Sequence, residues 1–229
     1  MHFFTFADIP RLIGDGFHLY SIILLIQKIK LTRSCSGLSL KTQFLYLLVF
    51  LTRYVNLIQL KLSEPEYVYN FVMKLIYIGT RVFILYLIRM KYYYTYDKRF
   101  DKCNTKTLLV PSLVIPLIIK QKTDGIFAYL IEYLWNFSVV LESIAILPQL
   151  ILLRETGEAE VMTSKYVFFL GMYRLMYVVG WINKWLRGIQ FDFVMFYGGI
   201  LQTLLYVDFF YCYYVYIISK KGPAEKLPY

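Results

Sequence analysis

Glu132, Trp135 and Glu142 sit in the stretch 130–160, LIEYLWNFSVVLESIAILPQLILLRETGEAE, which is long and apolar enough to cross a bilayer before it ends in the polar run from Arg154 to Glu160. An ionisable side chain at membrane depth costs roughly 2.5–3.5 kcal/mol on insertion scales, so it marks a place where a site needs it. At about 100° per residue the three side chains fall within an arc of roughly 80°, so one helix face presents acid, aromatic, acid. Other apolar segments carry similar stripes. Arg11, Asp15 and His18 lie within roughly 60° on the first. Arg53, Tyr54 and Asn56 cluster on the second. Tyr173, Arg174, Tyr177, Trp181 and Lys184 share an arc of about 100° on the sixth. Asp192 and Asp208 belong to the seventh. Lipid cannot partner these groups, so the stripes must converge on a shared, water-accessible cavity.

The residue types limit the chemistry of such a cavity. Cations outnumber carboxylates, so its ligand should be net acidic. A metal centre needs a tight His/Cys/Asp/Glu set, and His2 and His18 have no partner spacing. No nucleophile elbow, Gly-rich phosphate loop or zinc-protease signature appears, so the reading includes neither an enzyme nor a cofactor. Taken singly, several residues have blander readings. Arg11 and Lys184 suit interfacial residues snorkelling to headgroups. His18 suits a satisfied interior histidine, Trp135 and Trp181 suit packing or belt aromatics, and Asp208 suits a structural ion pair. Lys74 and Arg81, on the third span, read as structural or interfacial. For the others, convergence outweighs the single-residue readings.

Composition sets the elements that must position these groups. The 229 residues are 59% hydrophobic, with a mean hydropathy of +0.52. The apolar excess lies in long runs, which places the chain among multi-pass membrane proteins, all-α and built as a single seven-helix domain spanning 1–229. Seven segments stand out, 12–29, 38–60, 68–88, 108–119, 126–153, 164–185 and 193–219, of which the fourth is short and holds Pro111 and Pro116. The net charge of +10 is read as basic residues collecting on the cytosolic side rather than as a nucleic-acid surface. With a lumenal N-terminus the cytosolic regions hold Lys28, Lys30, Arg33, Lys41, the cluster 89–106 and the tail lysines, against Arg11, Lys61, Lys120, Lys122, Lys184 and Arg187 on the other side. That bias predicts a cytosolic C-terminus. The first span is expected to act as an uncleaved signal anchor, since no small-residue cleavage site follows a basic n-region. Cys35, Cys103 and Cys212 have no metal or redox spacing and are expected as free thiols.

WNFSVVLESIAILPQL (135–150), TGEAE (156–160) and Tyr173-Arg174 resemble the ER lumen protein-retaining receptor family, commonly called KDEL receptors. SCSGLSLKTQ (34–43), TRY (52–54) and QTLLYVDFFYCY (202–213) extend the resemblance over nearly the whole chain. It implies two inverted triple-helix bundles, 12–88 and 126–219, joined by a linker helix at 108–119, an architecture shared with small sugar transporters of the SWEET and Pro-Gln-loop class. It also implies a receptor for C-terminal KDEL or HDEL signals of lumenal proteins. Such a receptor binds its cargo in the acidic Golgi, returns it to the ER in COPI vesicles and releases it at neutral pH. The protein would reside in ER and cis-Golgi membranes. The rival reading is a sugar or amino-acid transporter of the same architecture, whose pore should be polar but nearly uncharged.

Residue roles follow from the same resemblance. Arg53 looks like the arginine that takes the peptide's terminal carboxylate in a bidentate fork. Arg11 and Lys184 stand where two arginines engage the carboxylate or the acidic side chains. Lys184 is a departure, because a point charge cannot fork. Glu132 and Trp135 resemble the wall for the residue four from the cargo end, by ion pairing and cation–π contact. His18, Glu142 and Tyr173 resemble a pH-sensitive lock, with His18 pairing to a carboxylate when protonated. Tyr54, Arg174, Tyr177 and Trp181 join the ligand cavity. Asp192 and Asp208 resemble carboxylates required for transport. Lys220 and Lys221 resemble a conditional coat signal. Asn56 stands where many relatives carry Asp, and Gly180 where a relative has Asn, so both bear on specificity.

Overall fold

The computed structural model describes residues 9–55, 65–119, 125–156, 161–189 and 193–213. Every regular element among them is helical. In chain order they are α1 (Ile9–Thr32), α2 (Leu40–Arg53), α3 (Pro65–Tyr86), α4 (Thr105–Ile118), α5 (Ile126–Ile144), α6 (Leu147–Thr156), α7 (Val161–Leu186) and α8 (Phe193–Tyr213). A π-helical turn at Leu87–Lys91 and a short 3-10 turn at Tyr93–Thr95 follow α3.

Three stretches among the described residues are long and apolar enough to cross a membrane: Ile9–Thr32, Val68–Lys91 and Ile126–Leu153. The helix α7 has 26 residues, ample length for a span, but its stripe of Tyr173, Arg174, Tyr177 and Trp181 faces protein and dilutes its apolar character. The outward faces are apolar. Ile13, Tyr20 and Ile23 of α1, Val72, Leu75 and Val82 of α3, and Val110, Leu113 and Leu117 of α4 are all exposed. Apolar exposure over this many helices is what a lipid-facing surface requires.

Packing is pairwise. The helix α1 lies along α7, α2 lies between α3 and α5, α8 packs on α5 and α7, and α4 rests on α5. Of α4, only Leu108, Ser112 and Pro116 are buried, a stripe of every fourth residue that meets α5. Tyr133 of α5 also donates a hydrogen bond to the Leu113 carbonyl at 3.0 Å. At 14 residues α4 is only about 21 Å long, shorter than the ~30 Å hydrocarbon core.

Helices α5 and α6 are one apolar rod broken at Pro148, which has no N–H to continue the ladder. The break exposes backbone groups that the 34–43 motif satisfies. The Gln149 N–H donates to Thr42 Oγ1 at 3.0 Å, and its side chain donates from Nε2 to the Gly37 carbonyl at 2.8 Å. Its Oε1 accepts from the Ser39 N–H at 2.9 Å. Gly37 adopts φ +71, a left-handed conformation natural to glycine. Ser39 caps α2, its hydroxyl accepting from the Thr42 N–H, and donates to buried Asp101 at 3.0 Å. The Pro-Gln pair and the SCSGLSLKTQ motif are thus two halves of one polar clamp, 110 residues apart in sequence. Replacing Gln149 with alanine leaves the buried Ser39 N–H and the Gly37 carbonyl without partners. The expected cost is about 1–3 kcal/mol, read as a lower melting temperature in detergent; an unchanged melt would show the clamp to be dispensable.

Cys35 and Cys103 are free thiols, and burial pushes the Cys35 thiol up from its ordinary value, so it is a poor nucleophile. The helix boundaries differ modestly from the sequence expectation. The second helix stops at Arg53 instead of continuing toward residue 60, and residues 56–64 lie outside the described residues.

Candidate functional site: a cationic cavity among α1, α2, α3, α5 and α7

The polar stripes meet. A cavity of about 330 Å³ is lined by five cations, Arg11, Arg53, Lys74, Arg174 and Lys184, against two carboxylates, Asp15 and Glu142. His18, Trp181 and a set of tyrosines complete the wall. Its volume lies near the lower end of the range for small-ligand sites.

Glu142 of α5 is the electrostatic centre. Its two oxygens take separate guanidinium groups, Arg53 Nη1 of α2 at 2.5 Å and Arg174 Nη2 of α7 at 2.5 Å. Tyr173 OH donates to the same carboxylate at 3.0 Å and accepts from Arg174 Nη2 at 3.1 Å. Arg53 Nε donates to Ser138 Oγ at 3.0 Å, while its Nη2 is buried without a hydrogen-bond partner among the described residues. One carboxylate therefore holds two arginines from two other helices, and the cluster carries one net positive charge. A buried carboxylate is retained only if several donors converge on it, as they do here.

Asp15 of α1 forms a second cluster. Tyr177 OH donates to Oδ1 at 2.5 Å, Tyr69 OH to Oδ2 at 2.9 Å and Tyr77 OH to Oδ1 at 3.3 Å. Arg11 Nη2 donates to Asn70 Oδ1 at 2.6 Å. Trp181 lines the mouth against α8, where Gly199 leaves room for the indole. A Cβ at that glycine would lie 2.5 Å from Trp181 Cζ3.

His18 is buried between two phenol rings, stacked on Tyr173 with centroids 4.4 Å apart and on Tyr77 at 4.6 Å. Its Nε2 lies 3.2 Å from Arg81 Nη2, and because a guanidinium only donates, the nitrogen is the acceptor. The carboxylate pairing expected of His18 concerns the protonated ring; here the ring accepts from the guanidinium of Arg81, which α3 turns inward behind the cavity. Arg81 is fully buried, donates to Gln43 Oε1 at 2.7 Å and lies over the Tyr46 ring at 4.8 Å.

Of the sequence-derived residues, Arg11, His18, Arg53, Tyr54, Glu142, Tyr173, Arg174, Tyr177, Trp181 and Lys184 all line the one cavity, as does Gly180. Glu132 and Trp135 do not. They share an angular sector with Glu142 but lie about 10–15 Å away along the helix axis, from the 1.5 Å rise per residue. Asn56, Asp192, Lys220 and Lys221 lie outside the described residues, and of Asp208 only its place on α8 is described. The third span is what sequence reasoning undervalued. Tyr69, Asn70, Lys74, Tyr77 and Arg81 fall within an arc of roughly 140°, a polar stripe as legible as the others. The first four line the cavity and Arg81 backs it.

Residues 34–184 match the family model described as ER lumen protein retaining receptor. The chain is 41% identical over 221 residues to the ER lumen protein-retaining receptor of Drosophila melanogaster, covering 96% of this chain and 99% of that protein. It is 43% identical over 221 residues to ER lumen protein-retaining receptor 2 of Bos taurus, with 96% and 99% covered. Against the receptor of Kluyveromyces lactis the identity is 42% over 223 residues, with 95% and 98% covered. With a family model spanning most of the chain and near-complete matches to these relatives, the chain belongs to the ER lumen protein-retaining receptor family, whose members are receptors and not enzymes.

Proposed function

We propose that this protein binds C-terminal tetrapeptides of the HDEL or KDEL kind on lumenal ER proteins in the acidic Golgi. It would then return them in COPI vesicles and release them at neutral pH. The observation that carries this reading is the charge of the cavity: five cations face two carboxylates, both already engaged by the protein's own arginines and tyrosines. The surplus positive charge suits a ligand with acidic side chains and a free carboxylate, and C-terminal tetrapeptides of this kind are receptor-read addresses. A sugar pore would have no use for it.

The helix packing supports a seven-span body in which α5 and α6 count as one span. Exchanging the triplet α1, α2, α3 with the triplet α5–α6, α7, α8 carries the α1–α7 contact onto the α2–α5 contact, and α2–α3 onto α7–α8. Helix α4 is left over as a linker. With one span between them, both triplets enter the bilayer from the same side, so the repeat is parallel and not inverted. The cavity lies where the triplets meet. The Lys and Arg bias supports a lumenal N-terminus and a cytosolic tail, where Lys220 and Lys221 would meet the coat.

Binding is expected to strengthen as pH falls, since imidazole is the side chain that titrates between neutral and mildly acidic compartments. In the present arrangement such a step has to break the Arg81–His18 contact, because a protonated Nε2 cannot accept. The test is binding of HDEL- and KDEL-tailed peptides to the purified protein at acidic and neutral pH. The expected result is tight binding at the acidic value only. His18→Ala is expected to flatten the response between about pH 5.5 and 7.5. A full pH response in that variant would move the proton to another group, and no binding of either peptide at any pH would overturn the reading.

A further inference from the structure

A second pocket, which shares no lining residue with the ligand cavity, lies at the end of the third span. It has a volume of about 630 Å³ and is lined by Lys41, Arg89, Lys98 and Lys102, with Tyr93, Tyr96 and one carboxylate, Asp101. The carboxylate is not available to these cations at the pocket surface. Asp101 is buried, and its side chain accepts from Ser39 Oγ, the Lys41 N–H and Tyr96 OH. Lys41 is occupied as well, its Nζ donating to the Asp101 and Cys103 carbonyls. Lys102 makes an exposed pair with Glu155 at 3.0 Å, a geometry worth little in water. Arg89 and Lys98 have no ion-pair partner among the described residues, and both are exposed.

The pocket's position argues for its occupant. Val68–Lys91 is one of the stretches long and apolar enough to cross a membrane, so Arg89 sits at its end. Met90, Tyr93 and Tyr94 beside it are exposed, Tyr94 at 84%. Exposed tyrosines at the end of a membrane helix mark the headgroup level, and a basic pocket there faces anionic lipid. The Lys and Arg bias puts this end of α3 on the cytosolic side, where anionic phospholipids are found.

We infer that Arg89, Lys98 and Lys102, with Tyr93 and Tyr96 as walls, form a binding site for the phosphorylated headgroup of an anionic phospholipid in the cytosolic leaflet. Arginine supplies the forked donor that suits a phosphate, and the lysines supply point charge. The pocket is large enough for an inositol phosphate headgroup, and its cations favour the extra phosphate charge that phosphatidylserine lacks.

The full-length protein in phosphatidylcholine nanodiscs, doped with either a phosphatidylinositol monophosphate or phosphatidylserine, provides the test, with retained lipid read by native mass spectrometry. The phosphoinositide is expected to be retained in preference. Each cation near an anionic surface is worth on the order of fivefold in binding, so Arg89→Gln with Lys98→Gln predicts a loss of about thirtyfold. Arg99→Gln with Lys106→Gln removes the same charge from the same segment off the pocket and is expected to keep the lipid. Equal losses in the two double variants, or equal retention of phosphatidylserine, would reduce the site to diffuse surface charge. A soluble inositol phosphate that binds the detergent-purified protein as tightly as the bilayer lipid does would replace the membrane lipid with a soluble ligand and overturn the assignment. Peptide binding at acidic pH is expected to be the same in all three proteins, so a failure here is distinct from a failure of the receptor reading.

Discussion

Replacing Glu142 with glutamine is expected to damage this protein more than any other single change in the cavity. The carboxylate is shared by Arg53 and Arg174, each at 2.5 Å, and by Tyr173 at 3.0 Å. Glutamine keeps the shape but removes the charge, and its NH₂ group turns a donor toward one of two guanidinium groups that can only donate. Breaking a buried pair from one side costs about 3–5 kcal/mol, because it leaves the opposite charge uncompensated. Here two charges are stranded. The expected result is a large fall in folded yield and melting temperature in detergent. Removing an arginine at the same time relieves part of the penalty, so Glu142→Gln with Arg53→Gln is expected to melt higher than Glu142→Gln alone. That sign reversal is the measurement that counts, since a merely additive double variant would show that the two side chains do not share one charge balance.

The second large effect concerns the ligand. Arg53 spends Nη1 on Glu142 and Nε on Ser138, leaving Nη2 buried without a hydrogen-bond partner among the described residues. A buried donor in that condition is ready for an anion, and a hydrogen bond to a charged group is worth about 1.5–3 kcal/mol. Under the proposed function that anion is the peptide's terminal carboxylate. Arg53→Ala is then expected to weaken binding by one to two orders of magnitude at acidic pH, in proportion to that energy. Because Arg53 also helps to hold Glu142, the cleaner arm is the wild-type protein with a C-terminally amidated peptide, which leaves the protein untouched and removes only the ligand charge. Comparable binding of the amide and the free acid would remove Arg53 from the ligand-binding set.

Much of this was legible before any coordinates. Apolar runs above about 20 residues give membrane helices, and charged residues at fixed angular spacing within them give stripes that have to face protein. That reasoning gathers Arg11, His18, Arg53, Glu142, Tyr173, Arg174 and Lys184, all of which line one cavity. In sequence the Pro-Gln pair reads only as part of a motif within one apolar segment; its hydrogen-bonding partner, the loop around Gly37 and Ser39, lies 110 residues earlier and is invisible to any local pattern.

Composition and periodicity alone give class and angle: a membrane-embedded helical chain with polar faces turned inward and more cations than anions among them. Depth and pairing come from the packing of the helices. Helical periodicity reports the direction of a side chain around its own axis but not its height relative to a neighbouring helix. For that reason Glu132 and Trp135 share a face with Glu142 and still miss the cavity, while Lys74, read from sequence as structural or interfacial, enters it and Arg81 backs it. Pairing is decided by which helices pack, and it gives Glu142 two arginines, Asp15 three tyrosines and His18 a guanidinium. Ion pairs in a low-dielectric interior depend steeply on separation, so a shift of a few ångström along one helix changes which charges hold each other.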